Sequence, residues 1–355
     1  MRPQYDVVVI GAGPVGGYLA RRLNEHGHSV VLIEEHDEIG RPFQCAGLVN
    51  PAAMDKVNMG RSVLSRIWGA NIHSPHGVTV SIGDPTRNRT NSVCRKIFDE
   101  GVVSQSIATG TDLILSSTAV SADVHNDMVE VQIDTPDGEI TVQAKLLCGA
   151  DGAHSWVRRH FKMGRPKEMM IGFQIEVTGY DGDAGRLDMY TGSNIAPGFF
   201  SWAIPSGETT RVGTWTTPEL MNGNSSEDFL NVLISNNQIN HRFADCREVG
   251  RYCGPVPSGI VSKVSIPRVI LCGDAAGICK PTTGGGIGPG FDQVDMIVPK
   301  ISKNIASNSL GQNQANSVNS LMADMKRRQR RKKALRDAFL TEMSDDELED
   351  VFSVW

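Results

Sequence analysis

The stretch "YDVVVIGAGPVGGYLARRLNEHGHSVVLIEE", residues 5–35, decides the fold. Tyr5 to Ile10 reads as a buried parallel strand, and Gly11-x-Gly13-x-x-Gly16 follows it without a gap. A helix opens there, with Val15, Leu19, Ala20 and Leu23 on one face, and Gly27 stops it; Pro14 counts with the glycines as a candidate cofactor-binding residue. A second strand, Ser29 to Ile33, delivers Glu34 about 20 residues past the glycines, where a carboxylate accepts hydrogen bonds from a ribose. Gly11 makes the tight turn, Gly13 lets backbone N–H groups reach a pyrophosphate, and Gly16 lets helix and strand pack closely. The positive end of the helix favours the anion. Strand, turn, helix, strand and acid in one register describe a dinucleotide-binding unit, and that register alone does not separate NAD from FAD.

A second glycine-rich turn lies far downstream, in "RVILCGDAAGICKPTTGGGIGPG", residues 268–290. The apolar strand Arg268 to Cys272 brings Gly273 and Asp274 to its C-terminal end. Gly284, Gly285, Gly286 and Ile287 follow, and the spacing predicts a helix starting at Pro289. A strand end, an acid and a run of bare N–H groups before a helix make a second cradle for hydroxyls and phosphate. The paired motifs resemble the two-domain FAD enzymes that include aromatic hydroxylases, flavin-dependent halogenases and geranylgeranyl reductases. That resemblance implies FAD, with its adenosine half on the first turn, its ribityl hydroxyls at Asp274 and its ring beside the 284–288 loop. It also implies cofactor contacts from Arg95, which ends a strand in "SVCRKIFDEGVV", and from Asp151 in "LLCGADGAHSWVRRHF" after the strand Ala144 to Cys148. On local pattern alone, Arg95 is a solvated helix start and Asp151-Gly152 a simple turn.

Composition sets the frame. The chain has 355 residues with net charge -5, so nothing global points to nucleic acid. Seven cysteines without a CxxC pair or metal-ligand spacing argue for reduced thiols in a cytosolic setting and for no metal. No segment reaches the about 18 apolar residues that a membrane span needs. The expected architecture is α/β: a Rossmann-like FAD-binding domain with a parallel sheet over 1–160, an antiparallel-sheet substrate domain over 161–255, a return to the FAD domain over 256–300 and a C-terminal helical segment over 301–355. The substrate domain is read from the alternating runs "IGFQIEV", "RLDMY", "FFSWAIP" and "TTRVGTW", which are separated by turn signals. The polar stretch 302–320 reads as a linker or poorly packed segment.

Within the wider class, Phe200-Ser201-Trp202-Ala203-Ile204-Pro205 with Gly213 eight positions after the proline resembles the aromatic-x-Trp-x-Phe-Pro pattern of geranylgeranyl reductases. Phe200 stands where Tyr is usual and Ile204 where Phe is usual; a related Trp-x-Trp-x-Ile-Pro stretch marks the halogenases, which Ile204-Pro205 matches better, while Phe200 matches neither leading aromatic. A hydrophobic strand packing a core would read the same way. The segment "GRPFQCAGLVNP", residues 40–51, and the tail "LRDAFLTEMSDDELEDVF" are similar to archaeal geranylgeranyl reductases. By that resemblance Glu35, Arg41, Cys45, Ala46 and Gly47 join the cofactor contacts, and Cys45 becomes a candidate active-site residue; a buried structural cysteine is the ordinary alternative. Phe200, Trp202, Ile204, Pro205 and Gly213 would line a tunnel for the prenyl chain.

The function so implied is reduction of geranylgeranyl double bonds, most naturally in an archaeal-type ether phospholipid, by hydride from reduced FAD. An isolated alkene has no carbonyl to polarise, so placement and a proton source in a dry site carry the burden. Cys45 or a bound water would give the proton, and NAD(P)H or a ferredoxin would reduce the flavin. The run "KRRQRRKKALRD", residues 326–337, reads as a solvated helix face or as a dock for anionic lipid headgroups, worth about 1 kcal/mol per basic residue near the surface. It has no interleaved aromatics for stacking on bases. A peripheral position at a membrane would suit a lipid substrate. A flavin monooxygenase or halogenase, and a membrane-associated flavin-binding protein without catalysis, are the rival readings.

Overall fold

A computed structural model describes residues 4–43 and 45–354. The chain divides into two compact units, each made of three segments. Residues 1–42, 96–167 and 257–330 form unit 1, and residues 43–95, 168–256 and 331–355 form unit 2. Residues 43–95, which the sequence reading kept with the first domain, count with unit 2 in this division, and 301–330 count with unit 1.

Unit 1 is built on an eight-stranded sheet. Its main path runs Ser265–Ile266, Val269–Leu271, Gly138–Gly149, Tyr5–Ile10, Val30–Ile33 and Asp112–Ile114. Tyr5–Ile10 pairs in parallel with both Gly138–Gly149 and Val30–Ile33, and Gly138–Gly149 pairs in parallel with Val269–Leu271. Val7, Val8 and Val9 are wholly buried, as are Val30, Val31 and Leu32, which is why these runs are continuously apolar instead of alternating. Because the four strands run the same way, the Gly11 turn, Glu34, Asp151 and Gly273 all leave the sheet at its C-terminal edge. Open α/β sheets bind their ligands at that edge.

Two helices pack against each other beside this edge. The helix Pro14–Glu25 buries Tyr18, Leu19, Ala20 and Leu23. The helix Ile287–Ala306 begins two residues before the expected Pro289 and runs through Pro299. Tyr18 and Phe291 rings meet at 4.4 Å, and Tyr18 Oη donates to Asp295 at 2.8 Å. The expected linker over 302–320 is corrected: only Ser307–Gly311 separates this helix from the next, Gln312–Leu340. Gln314, Ala315 and Val318 are buried, and polar side chains on this helix serve the chain beside it. Gln314 Oε1 accepts from Arg268 N–H at 3.0 Å, Asn319 Oδ1 from Val264 N–H at 3.0 Å and Gln329 Oε1 from Ile260 N–H at 3.1 Å.

Unit 2 centres on a seven-stranded sheet in the order Arg247–Ser258, Glu168–Thr178, Thr209–Thr216, Ser201–Ser206, Arg186–Tyr190, Gly69–His73 and Thr79–Gly83. The four alternating runs read from the sequence are its second to fifth strands. Glu168–Thr178 pairs antiparallel with Thr209–Thr216, Ser201–Ser206 antiparallel with both Thr209–Thr216 and Arg186–Tyr190, and Gly69–His73 antiparallel with Thr79–Gly83, whereas Arg186–Tyr190 pairs in parallel with Gly69–His73. One face buries Ala203, Val212, Ile175 and Val177 with Leu230 and Leu233 of the helix Ser226–Ser235. A smaller sheet of Leu48–Val49, Thr90–Val93 and Val63–Ile67 completes the unit. The last helix, Asp345–Ser353, starts on the expected capping box of Ser344 and Glu347.

Candidate functional site

The glycines of unit 1 are explained by what surrounds them. A Cβ on Gly11, whose φ is +99°, would lie 2.5 Å from the Ala150 carbonyl oxygen and 2.8 Å from Asp151 Cα, so the first turn rests on the Asp151 turn. A Cβ on Gly16 would lie 1.9 Å from the Gly11 carbonyl oxygen, which fixes the close approach of helix and strand. Gly13 differs, because a Cβ there would meet nothing within 4 Å. Internal packing does not require glycine at 13, which is the N-cap of the helix. Glu34 is turned to the same turn, its Oε2 accepting from the Ala12 N–H at 2.7 Å and its Oε1 from the His36 N–H at 3.1 Å.

The second glycine turn meets the first. Cβ atoms on Gly273 and Gly290 would lie 3.1 Å and 2.5 Å from Val15 Cγ2, so the helix after the first turn, the Gly273-Asp274 turn and the last glycine of the motif abut. Asp274 Oδ1 accepts from the Cys279 thiol at 3.1 Å and lies 2.6 Å from where a Gly286 Cβ would be. The loop between them closes on itself through Gly284 N–H to the Lys280 carbonyl at 2.9 Å and Lys280 N–H to the Gly285 carbonyl at 3.2 Å. Gly13 and Gly286 cap their helices without a side-chain hydrogen bond, leaving two positive helix ends at one sheet edge for an anion.

Two residues that sequence reasoning missed hold this edge together. Gln293 is fully buried; its Oε1 accepts from the Gly273 N–H at 2.9 Å and its Nε2 donates to the Leu271 carbonyl at 2.8 Å. Arg158, also buried, donates to the Ala275 carbonyl at 2.8 Å and to the Ala153 carbonyl at 2.6 Å, tying the Asp151 turn to the Asp274 turn. Asp151 Oδ2 accepts from the Val157 N–H at 2.9 Å, whereas its Oδ1 is buried without a hydrogen-bond partner. Burial holds this carboxyl above its ordinary value, against the Ser155 side chain and the Val157 N–H, which pull it down. Asp151 Oδ1, the open space at Gly13 and two uncapped helix starts are what a bound dinucleotide's hydroxyls and phosphates would complete. Glu35 is 67% exposed, and Arg41 is exposed.

A family model described as an FAD binding domain matches residues 4–306. Over 299 residues the chain is 32% identical to the digeranylgeranylglycerophospholipid reductase of Methanosarcina acetivorans, covering 81% of this chain and 72% of the relative. The chain belongs to the geranylgeranyl reductase family of FAD-binding proteins. Its cofactor is FAD. Among solved structures, a geranylgeranyl bacteriochlorophyll reductase-like protein from Thermoplasma acidophilum superposes with a TM-score of 0.91 at 23% identity, over 99% of this chain and 91% of that one. A halogenase in complex with FAD superposes with a TM-score of 0.80 at 16% identity, over 99% and 79%. These two likenesses establish the shared fold.

In this family member the other expected site residues lie in unit 2. The strand Ser201–Ser206 and its neighbours form transverse rows. Met189, Trp202, Gly213 and Gln174 make one row, and Ile204, Arg211 and Glu176 the next. Gly213 is glycine because a Cβ would lie 2.4 Å from Trp202 Cζ2; the indole lies across it and donates Nε1–H to Gln174 Oε1 at 3.1 Å. Phe200 packs edge-on against Trp215 at 5.5 Å, and Trp202 meets Trp215 at 6.3 Å. Phe200 and Ile204 are buried, while Trp202 and Pro205 are half-buried. Gln174 Nε2 and Trp215 Nε1 are buried donors without a partner on this face. Cys45, half-buried, accepts from the Gly47 N–H at 3.3 Å, and the carbonyl of the intervening Ala46 accepts from Arg211 Nη1 at 3.0 Å. The structure therefore joins the Cys45 segment to the Trp202 sheet face through a residue the sequence reading left out. Arg95 is half-buried at the start of the helix Arg95–Ala108.

The basic run lies on the helix Gln312–Leu340. Arg327, Arg328, Arg330, Arg331 and Lys332 are exposed, Gln329 is buried, and Arg336 pairs with Glu168 at 2.8 Å. The acidic tail faces elsewhere in unit 2: Asp345 accepts from the Ser193 N–H at 3.0 Å and Glu349 from the His76 N–H at 2.9 Å. Among the described residues no helix is long and apolar enough to cross a membrane, and no cluster of His, Cys, Asp and Glu could hold a metal ion.

Proposed function

We propose that this chain reduces isoprenoid double bonds in geranylgeranyl chains of archaeal-type membrane ether phospholipids. The observation that carries the reading is the 32% identity to an enzyme named for that substrate, over most of both chains. The aromatic row of unit 2 supports it. Trp202 and Phe200 offer apolar rings to a prenyl chain, and Gly213 exists to let the indole lie flat.

In this reading unit 1 holds FAD through the Gly11, Gly13 and Gly16 turn, Glu34, Asp151, Asp274 and the 284–287 loop. Bound there, the reduced flavin supplies the hydride. The residues of this chain orient the alkene, exclude water and give a proton to the second carbon, from Cys45 or a held water. NAD(P)H or a ferredoxin delivers the electrons, and the exposed arginines of 327–331 meet anionic headgroups. The test is anaerobic incubation of reduced holoprotein with geranylgeranyl ether lipid, followed by mass spectrometry. Gain of two hydrogens per bond is the expected result. Flavin reoxidation without any lipid product, or turnover that consumes oxygen in step with substrate, overturns the reading in favour of a binding protein or a monooxygenase.

A further inference from the structure

A guanidinium sealed inside a protein has to be matched by charges and hydrogen bonds, because its desolvation is costly. Arg211 is 3% exposed in the strand Thr209–Thr216. Its Nη1 donates to two backbone carbonyls, Ala46 at 3.0 Å and Val93 at 3.1 Å, and its Cζ lies 4.9 Å from the Phe43 ring centre. Its Nε is buried without a hydrogen bond, with Glu176 Oε1 3.9 Å away. Gly47, at φ +72°, leaves room for this group: a Cβ there would lie 2.4 Å from Nη1. The guanidinium is thus seated on the backbone turn whose next hydrogen bond, from Gly47 N–H, goes to Cys45 Sγ.

The charged and titratable groups around Arg211 come from every neighbouring segment. Glu176 faces it from the adjacent strand, Cys94 and Arg95 from the end of Thr90–Val93, and Cys45 from the turn itself. Burial pushes the guanidinium below its ordinary value, while Glu176, Cys45 and Cys94 pull it up and Arg95 adds to the push. Tyr252 reaches the cluster through its edge contact with Phe43 at 4.6 Å. Binding two carbonyls would by itself be a purely architectural task. Placing a positive charge and an N–H donor on the same short turn as a thiol does something more, since both favour sulfur after it has lost its proton.

We propose that Arg211 is a positioning residue for Cys45, fixing the Cys45–Gly47 turn and stabilising, together with the Gly47 N–H, the thiolate formed when Cys45 gives up its proton. The inference rests on the reductase reading above and makes Cys45, instead of a water, the proton donor. In the balanced step the S–H bond of Cys45 breaks and its proton bonds to one alkene carbon, using the π electron pair. The other carbon takes the hydride, with its two electrons, from the reduced cofactor. Sulfur keeps the S–H pair as thiolate, and solvent later returns the proton.

The experiment follows alkylation of Cys45 by iodoacetamide in the full flavin-loaded chain, as a function of pH, with peptide mass spectrometry separating Cys45 from Cys94. Arg211→Met is expected to move the labelling midpoint up and to slow labelling at neutral pH by about tenfold for each unit moved. Arg211→Lys should recover part of the loss. Glu176→Gln should move the midpoint down, because it removes the counter-charge from the guanidinium. An unchanged profile in folded Arg211→Met overturns the proposal; should that variant not fold, an unchanged profile in Glu176→Gln does so. A wild-type chain that reduces no prenyl lipid would overturn the reductase reading, while the labelling profile would still decide the Arg211–Cys45 coupling.

Discussion

Gln293 gives the sharpest test of how unit 1 builds the sheet edge proposed to hold the cofactor. Replacing it with Met keeps the length and bulk of the side chain and deletes two hydrogen bonds, one from the Gly273 N–H at 2.9 Å and one to the Leu271 carbonyl at 2.8 Å. The site is fully buried, so water does not take over. An orphaned buried donor or acceptor costs about 1–3 kcal/mol, and losing both partners places the expected destabilisation at about 2–6 kcal/mol. For a protein of this size that corresponds to a Tm lower by roughly 3–8 °C. The same change frees the turn that aims Asp274, so flavin affinity should fall as well. Asp274→Ala is the control, expected to lose flavin with little change in the Tm of the cofactor-free protein. The assays are differential scanning calorimetry of the cofactor-free proteins and titration of flavin fluorescence. A Gln293→Met protein that melts within about 1 °C of the parent, or that binds FAD as tightly, would refute the bridging role.

Other changes probe single contacts. Gly16→Ala puts a Cβ 1.9 Å from a backbone oxygen and should yield protein without flavin, visible as a colourless preparation. Asp151→Asn should stabilise the cofactor-free protein at neutral pH and weaken FAD binding. The raised carboxyl value means that the charged form opposes folding, so the stability gain should fade as pH falls through that value and the wild-type acid protonates. Asp188 behaves in the opposite sense: burial works against its carboxylate, but His73, Arg242 and Tyr180 outweigh it and hold the value below 3.8. Its contribution, about 3 kcal/mol for a buried paired charge, should be constant from neutrality to about pH 4 and vanish below, measured as the urea stability difference between wild type and Asp188→Asn. Trp202→Ala should impair prenyl reduction while leaving flavin bound; equal loss of flavin would assign the indole to the core.

The glycine-turn edge of unit 1 was legible because its signals are local. Strand, glycines, helix and acid follow in fixed order at residues 5–35, and Gly273-Asp274 repeats the strand-end logic, so the structure returns nearly the same boundaries. The middle strands of unit 2 were legible because their faces alternate. What escaped has one physical cause: Gln293, Arg158 and Arg211 act on backbone groups that are distant in sequence or belong to a turn, and no periodicity marks such partners. Gln293 left a faint trace, a polar residue among Gly290, Phe291, Val294 and Ile297 on a buried helix face. The segment 302–320 misled for a related reason. Its Gln and Asn residues look like solvent-loving chain, yet Gln314 and Asn319 accept hydrogen bonds from the N–H groups of Val264, Ser265 and Arg268.

The threefold division of each unit has a consequence for synthesis. The polypeptide passes between the units at five points, 42/43, 95/96, 167/168, 256/257 and 330/331. Strand Gly138–Gly149 therefore waits for its parallel neighbour Val269–Leu271 until more than a hundred further residues have been translated. Neither half can be released from the ribosome and mature ahead of the other, and a nascent chain stopped before residue 269 must keep an apolar sheet margin uncovered. Long-separation pairing of this kind folds slowly and invites association with other chains. Production of this protein should accordingly depend on holdase chaperones, and fragments cut at the junctions should not substitute for the intact molecule.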